Sequence, residues 1–193
     1  MKNGQIASLS LRLAGWEVET ELPDERKYVC LAFPHTSNWD GLMLISLAQS
    51  LGLTINWMIK DDWVKGPLGV LLRRLGAVAV NRGGAHNLVD QMIEAFRTRD
   101  ELALIIPPEG TRGRAEHWRS GFYHIARGAD VPVVPGYLDY GRRRVGFGPA
   151  RRMTGDVRAD MDDLRAYYGG IQPQGKVRGN VGPIRLREES SAA

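Results

Sequence analysis

Short apolar runs alternate with segments of helical period along this chain. Runs of strand length occur at YVCLAF (28–33), INWMIK (55–60), AVAV (77–80), LALII (102–106) and VPVVP (131–135). Between them, HNLVDQMIEAFR sets Leu88, Val89, Met92, Ile93 and Phe96 on one stripe, which predicts an amphipathic helix. SNWDGLMLISLAQS and SGFYHIARGA read as further helices. Short buried strands alternating with helices predict an α/β fold, a single domain with a mostly parallel central sheet flanked by helices. In such sheets chemistry collects in the loops just past the carboxyl ends of the strands. That rule singles out residues 34–40, 81–84 and 107–114, all rich in polar or charged groups.

The same patterning bounds the domain. Residues 41–59 carry no formal charge over 19 positions, which approaches the length of a bilayer crossing. Ser46, Gln49, Ser50, Thr54 and Asn56, with the break at SLGLT, favour a buried helix followed by a strand. The first residues place Ile6, Leu9 and Leu13 on one helical face, which would pack on the domain or lie on a membrane surface. They lack the long apolar core and cleavage site of a signal peptide. There is no internal repeat and no dividing linker. A single α/β domain is expected over residues 1–170, with 171–193 a loosely structured arm because large apolar groups are sparse there.

Charge changes the picture in one respect. The chain has 193 residues and a net charge of +4, and residues 1–100 balance at 11 basic and 11 acidic groups. The excess lies in residues 101–193, where GRRRVGFGPARR (141–152) holds five arginines and no acid. Such a patch suits phosphates, anionic headgroups or an acidic carrier protein, or is simply a solvated strand pair. The single cysteine, Cys30, sits inside an apolar run and can form no internal disulfide, so a buried thiol in a reducing compartment is expected.

Three loops carry candidate chemistry. After YVCLAF, His35 stands in a polar break with Asp40 five positions on. Ser37 and Asp40 match a capping box, which would start a helix at about Asn38. Residues five apart point about 140° away from each other on a helix, so His35 can meet Asp40 only from a loop that folds back over the first turn. An imidazole held by a carboxylate on one nitrogen offers the other as a base. A plain helix cap remains the alternative. In IIPPEGTRGR (105–114), Pro107 and Pro108 end the strand and Gly110 permits a tight turn. Glu109, Thr111, Arg112 and Arg114 then crowd one loop, and guanidinium forks suit phosphate oxygens. The alternative is a surface turn with an internal Glu–Arg pair. Finally, Lys60 and Arg82 each follow a strand and would join Arg112 around one anion, Gly83 and Gly84 letting the backbone approach it.

PHTSNWD, GAVAVNR, PPEGTR and VPVVP resemble, in order, the four motif blocks of the glycerolipid acyltransferases, whose best-known members are the 1-acyl-glycerol-3-phosphate acyltransferases. The blocks cover residues 34–135. The resemblance implies that His35 is the general base and Asp40 its orienting partner. It implies that Arg82, Glu109, Gly110, Thr111 and Arg112 bind the phosphate-bearing acceptor with help from Lys60, and that Pro132 and Pro135 shape the pocket. The implied partners are a lysophospholipid acceptor and a thioester donor, acyl-CoA or acyl-carrier protein. No further cofactor or metal is implied, and no nucleic acid. The implied place is cytoplasmic, in peripheral contact with the inner membrane surface. Such enzymes usually carry a longer membrane-associated region before the first motif. Pro107, Ala79 and Gly113 replace residues common in the blocks, which leaves the acceptor open.

Other chemistries find no support. There is no G-x-S-x-G elbow, C-x-x-C pair or H-E-x-x-H. GIQPQGKV (170–177) imitates a phosphate loop but has Val177 where Ser or Thr is required. His86, His117 and His124 read as surface or packed residues, and no second histidine is placed to make a metal site with His35, Asp40 and Glu109. A non-catalytic lipid- or anion-binding protein with the same pocket is the competing reading. Phosphate binding alone needs neither His35 nor Asp40.

Overall fold

The computed structural model describes residues 15–20, 23–50, 52–81, 85–177 and 179–190. The expected N-terminal helix and Arg82 lie outside the described residues. Seven strands form one sheet in the order β1-β7-β6-β2-β5-β3-β4. They are β1 (Glu17–Thr20), β2 (Lys27–Phe33), β3 (Ile55–Lys60), β4 (Ala77–Val80), β5 (Leu102–Ile106), β6 (Val133–Asp139) and β7 (Arg144–Phe147). Strands β6, β2, β5, β3 and β4 are parallel; β7 is antiparallel to β6, and β1 is parallel to β7. Five α-helices are described: α1 (Asn38–Ser50), α2 (Gly66–Arg74), α3 (Ala85–Thr98), α4 (Gly121–Gly128) and α5 (Val157–Ile171).

Strand β2 explains why the sequence reads as a continuous apolar run. Val29, Leu31 and Phe33 point into one core, with Met92 and Phe96 of α3, Phe122 and Ile125 of α4, and Leu164 and Tyr168 of α5. Tyr28, Cys30 and Ala32 point into the other, against Leu44, Leu47 and Ala48 of α1. Both faces are covered, so alternation between apolar and polar residues would leave polar groups unsatisfied. Each fully buried large apolar side chain contributes roughly 1.5–3 kcal/mol, and Leu47 and Phe122 are entirely inaccessible. Cys30 sits in this core, and burial pushes its thiol up to about 12, so it is inert packing.

The connections fix where a site can form. From β2 the chain steps through α1 to β3 and through α2 to β4, away from β6. It then returns through α3 to β5, between β2 and β3, and crosses through α4 to β6 on the other side of β2. Right-handed crossovers put α1 and α2 on one face and α3 and α4 on the other. The connections leaving β2 and β5 therefore diverge, and a crevice opens past the carboxyl ends of this neighbouring pair. Among the described residues, no helix is long and apolar enough to cross a membrane, and residues 41–59 divide into α1 and β3.

Beyond α5, the described residues 172–177 and 179–190 carry no element longer than one turn, and several of them are tied to the domain. Leu186 is 1% exposed in the core, and the amides of Gln174 and Val177 donate to Asp139 and Thr36.

Candidate active site

His35 and Glu109 belong to the two loops at this crevice. The register pairs Leu31 with Ile106, so the loops leave the sheet side by side. The His35 amide donates to Glu109 Oε2 at 2.6 Å, tying the loops together. Past β5, the Gly110 amide closes a turn onto Pro107 at 3.1 Å, with φ of +65° at Gly110. A side chain there would be strained and would meet Arg119 Cγ at 2.9 Å, so this corner calls for glycine.

Helix α1 begins at Asn38, where the capping box puts it. Asp40 Oδ2 accepts the amides of Thr36 at 2.7 Å and Ser37 at 2.8 Å, while Ser37 Oγ accepts the Trp39 amide at 3.2 Å. Fully buried Asp40 also accepts the Tyr140 hydroxyl on Oδ1 at 2.8 Å. His35 folds back over this turn and brings Nδ1 to 3.5 Å from Asp40 Oδ2. The cap and the histidine–carboxylate pair are thus one structure. Asp40 faces Nδ1, which leaves Nε2 to meet a substrate proton.

The electrostatics favour a neutral imidazole. Burial pushes the His35 pKa below its ordinary value, Asp40 opposes this, and the neighbouring Arg112 reinforces it. Glu109 is 2% exposed, and burial pushes it up to about 7. The nearby amides of His35 and Gly182 favour its carboxylate, while the charge on Asp40 adds to the rise. Its Oε1 is buried without a well-formed hydrogen bond. Near neutral pH this carboxyl therefore holds its proton far more readily than an exposed glutamate does.

The cations behave differently from one another. Arg112 donates from its guanidinium to the Asn38 side-chain carbonyl, and its own backbone carbonyl accepts from Asn180. Among the described residues no carboxylate forms an ion pair with it. Lys60 ends β3 at the same sheet edge but stands two strands from β2, about 10 Å by ordinary strand spacing. Its ammonium is held by Asp62 at 2.5 Å. The exposed Thr111 hydroxyl accepts the Gly113 amide at 3.2 Å, serving the loop's own turn. His35, Asp40, Glu109, Gly110 and Arg112 are therefore gathered in one place, and Lys60 is turned toward its own acid.

A family model described as Acyltransferase matches residues 16–139, well over half of the chain. The chain belongs to the acyltransferase family. It is 36% identical over 73 residues to 1-acyl-sn-glycerol-3-phosphate acyltransferases of Limnanthes alba and Limnanthes douglasii, which is 35% of this chain. The match spans only 26% of the length of each of those relatives. Its fold is similar to the crystal structure of the 1-acyl-sn-glycerophosphate (LPA) acyltransferase PlsC from Thermotoga maritima, with a TM-score of 0.59 and 18% identity. That likeness covers 91% of this chain and 80% of the other.

Within this acyltransferase-family domain, three features escaped the sequence reading. Tyr140 lies 100 residues from the aspartate it touches. Asn38 engages Arg112. Residues on both sides of position 178 meet the loops, with the Val177 amide on Thr36 Oγ1 and Asn180 on the Arg112 carbonyl. No local spacing announces any of them. The arginine-rich segment is also not an open patch. Arg142 pairs with Asp139, Arg144 with Glu17 and Glu19, Arg151 with Asp163, and Arg152 with Asp130.

Proposed function

We propose that this protein transfers a fatty acyl group from a thioester, acyl-CoA or acyl-carrier protein, to a hydroxyl of a lysophospholipid such as 1-acyl-glycerol-3-phosphate, working as a peripheral protein at the cytoplasmic membrane surface. The observation that carries this reading is the meeting of His35, oriented on Asp40, with Arg112, a guanidinium that no carboxylate of the described residues neutralises. A phosphate docked on Arg112 would bring an adjacent hydroxyl within reach of His35 Nε2. The relatives named above, acyltransferases of 1-acyl-sn-glycerol-3-phosphate, support the choice of acceptor.

Nε2 takes the hydroxyl proton as the oxygen attacks the thioester carbonyl carbon. The tetrahedral intermediate collapses, the carbon–sulfur bond breaks, and the departing thiolate recovers the proton from the imidazolium. Asp40 faces the positive charge while it exists. General-base assistance of this kind supplies roughly 10²–10⁴-fold, and fixing the hydroxyl by its phosphate adds an orientation effect. The amides of Thr36, Ser37 and Trp39 are already engaged, so an oxyanion needs other donors. Glu109 fits beside an anion because its carboxyl is raised toward neutrality; a fully charged carboxylate would repel phosphate. Arg82 and Lys60 stand as further candidates, Lys60 after releasing Asp62.

The test is incubation with acyl-CoA or acyl-carrier protein and a panel of lyso-lipids, scored by mass spectrometry. Acylated lysophosphatidic acid is the expected product. Binding of the lipid without any acylated product would instead favour a non-catalytic binder.

A further inference from the structure

Helix α2 packs with its small residue inward and its large ones outward. Gly69 lies against Val64, whose carbonyl oxygen would stand 1.9 Å from an added Cβ. Leu68, Leu71 and Leu75, at helical spacing i, i+3 and i+7, are 53%, 52% and 45% exposed. Trp63, in the single turn just before the helix, is 62% exposed. These four are most of the seven large apolar side chains exposed among the described residues, so the helix forms a patch rather than a scatter.

The patch continues toward the site. Helices α1 and α2 share a sheet face, and between them Trp57 and Ile59 of β3 are half-buried and Ala79 of β4 is exposed. Trp39, in the first turn of α1, is 58% exposed, and Lys176 Nζ stands 4.8 Å from the centre of its ring.

Charge says what covers it. Residues 63–80 contain Lys65, Arg73 and Arg74 and no acid; Asp62, just before Trp63, pairs with Lys65 at 2.9 Å and with Lys60, so the cations the patch offers are chiefly Arg73 and Arg74. A second copy seated on this patch across a two-fold axis would set these cations against themselves. Tryptophan and leucine rimmed by lysine and arginine is instead the composition that settles into the headgroup boundary of an anionic bilayer. We propose that α2 with Trp63 is the face by which this protein docks on anionic lipid, presenting the Trp39 side of the site to the membrane. The proposal extends the reading of a peripheral lysophospholipid acyltransferase, and its test needs no turnover.

The measurement is flotation of the full chain with phosphatidylcholine vesicles and with vesicles also containing phosphatidylglycerol. Wild-type protein should float with the anionic vesicles and release as salt is raised. Leu68→Glu/Leu71→Glu should lose at least tenfold in partitioning while keeping its melting temperature, since both side chains are exposed. Arg74→Glu should weaken binding to anionic vesicles alone. Wild-type protein that stays in solution, or Leu68→Glu/Leu71→Glu protein that floats equally well, overturns the proposal. So does a wild-type dimer, measured by light scattering, that the double variant splits, because the face would then join two chains. Protein that transfers acyl groups in detergent without floating rejects this face alone. Protein that floats without any transfer rejects only the proposed reaction.

Discussion

Glu109→Gln isolates the most unusual charge of the site. The carboxyl is buried, takes the His35 amide on Oε2, and has its pKa raised from 4.5 to about 7. The folded state therefore holds the Glu109 proton more tightly than the unfolded chain. Stability is highest below the unfolded pKa, falls as pH rises through 4.5, and levels off once pH has passed about 7. A rise of that size corresponds to about 3 kcal/mol. Glutamine keeps an oxygen for the His35 amide and binds no proton, so its stability lacks this slope. Urea unfolding of both proteins at steps from pH 4.5 to pH 8 measures it. Subtracting one curve from the other removes groups common to both, including His35, whose lowered pKa acts with the opposite sign. The wild-type advantage over the variant should shrink by about 3 kcal/mol across this range. A difference that stays flat would refute the assignment of a desolvated Glu109.

Other expectations follow from the same geometry. Arg112→Lys removes the fork and should raise KM for a phosphate-bearing acceptor about tenfold, leaving a neutral monoacylglycerol unaffected; equal losses with both acceptors would contradict a phosphate site. Tyr140→Phe should cost about 1 kcal/mol in a thermal melt. It should also move the acid limb of the kcat profile to higher pH, because Asp40 without its phenol holds the His35 proton more strongly; an unmoved limb would show that Tyr140 merely packs. Leu47→Ala, at a fully buried position under α1, should destabilise by roughly 2–5 kcal/mol in urea unfolding, and a loss under 1 kcal/mol would contradict the packing described here.

The parts of this molecule that were legible in its sequence are those where local pattern and buried environment coincide. Strand β2 is covered on both faces, so its apolar run is unbroken; Ser37 and Asp40 cap α1 because three residues span that turn. The edges were less legible. Strands β1 and β7 are four residues each and are flanked or interrupted by charge, as EVET and RVGF. Helix α5 buries Met161, Leu164 and Tyr168 at helical spacing but hides that stripe among three acids and two arginines. The arginine-rich segment left two readings open, an anion-binding patch or a solvated strand pair, for a different reason. Its partners Glu17, Glu19, Asp130 and Asp163 come from remote parts of the chain, so neutralisation is visible only in three dimensions. Tyr140 reaches Asp40 in the same way.

The rate of acyl transfer to lysophosphatidic acid by His35→Ala protein, measured beside wild type at pH 7.5, tests the role of the imidazole most directly. The expected result is a fall in kcat of roughly 10²–10⁴-fold, with acceptor binding and melting temperature close to wild type. Unchanged turnover would contradict the assignment of His35 as the base.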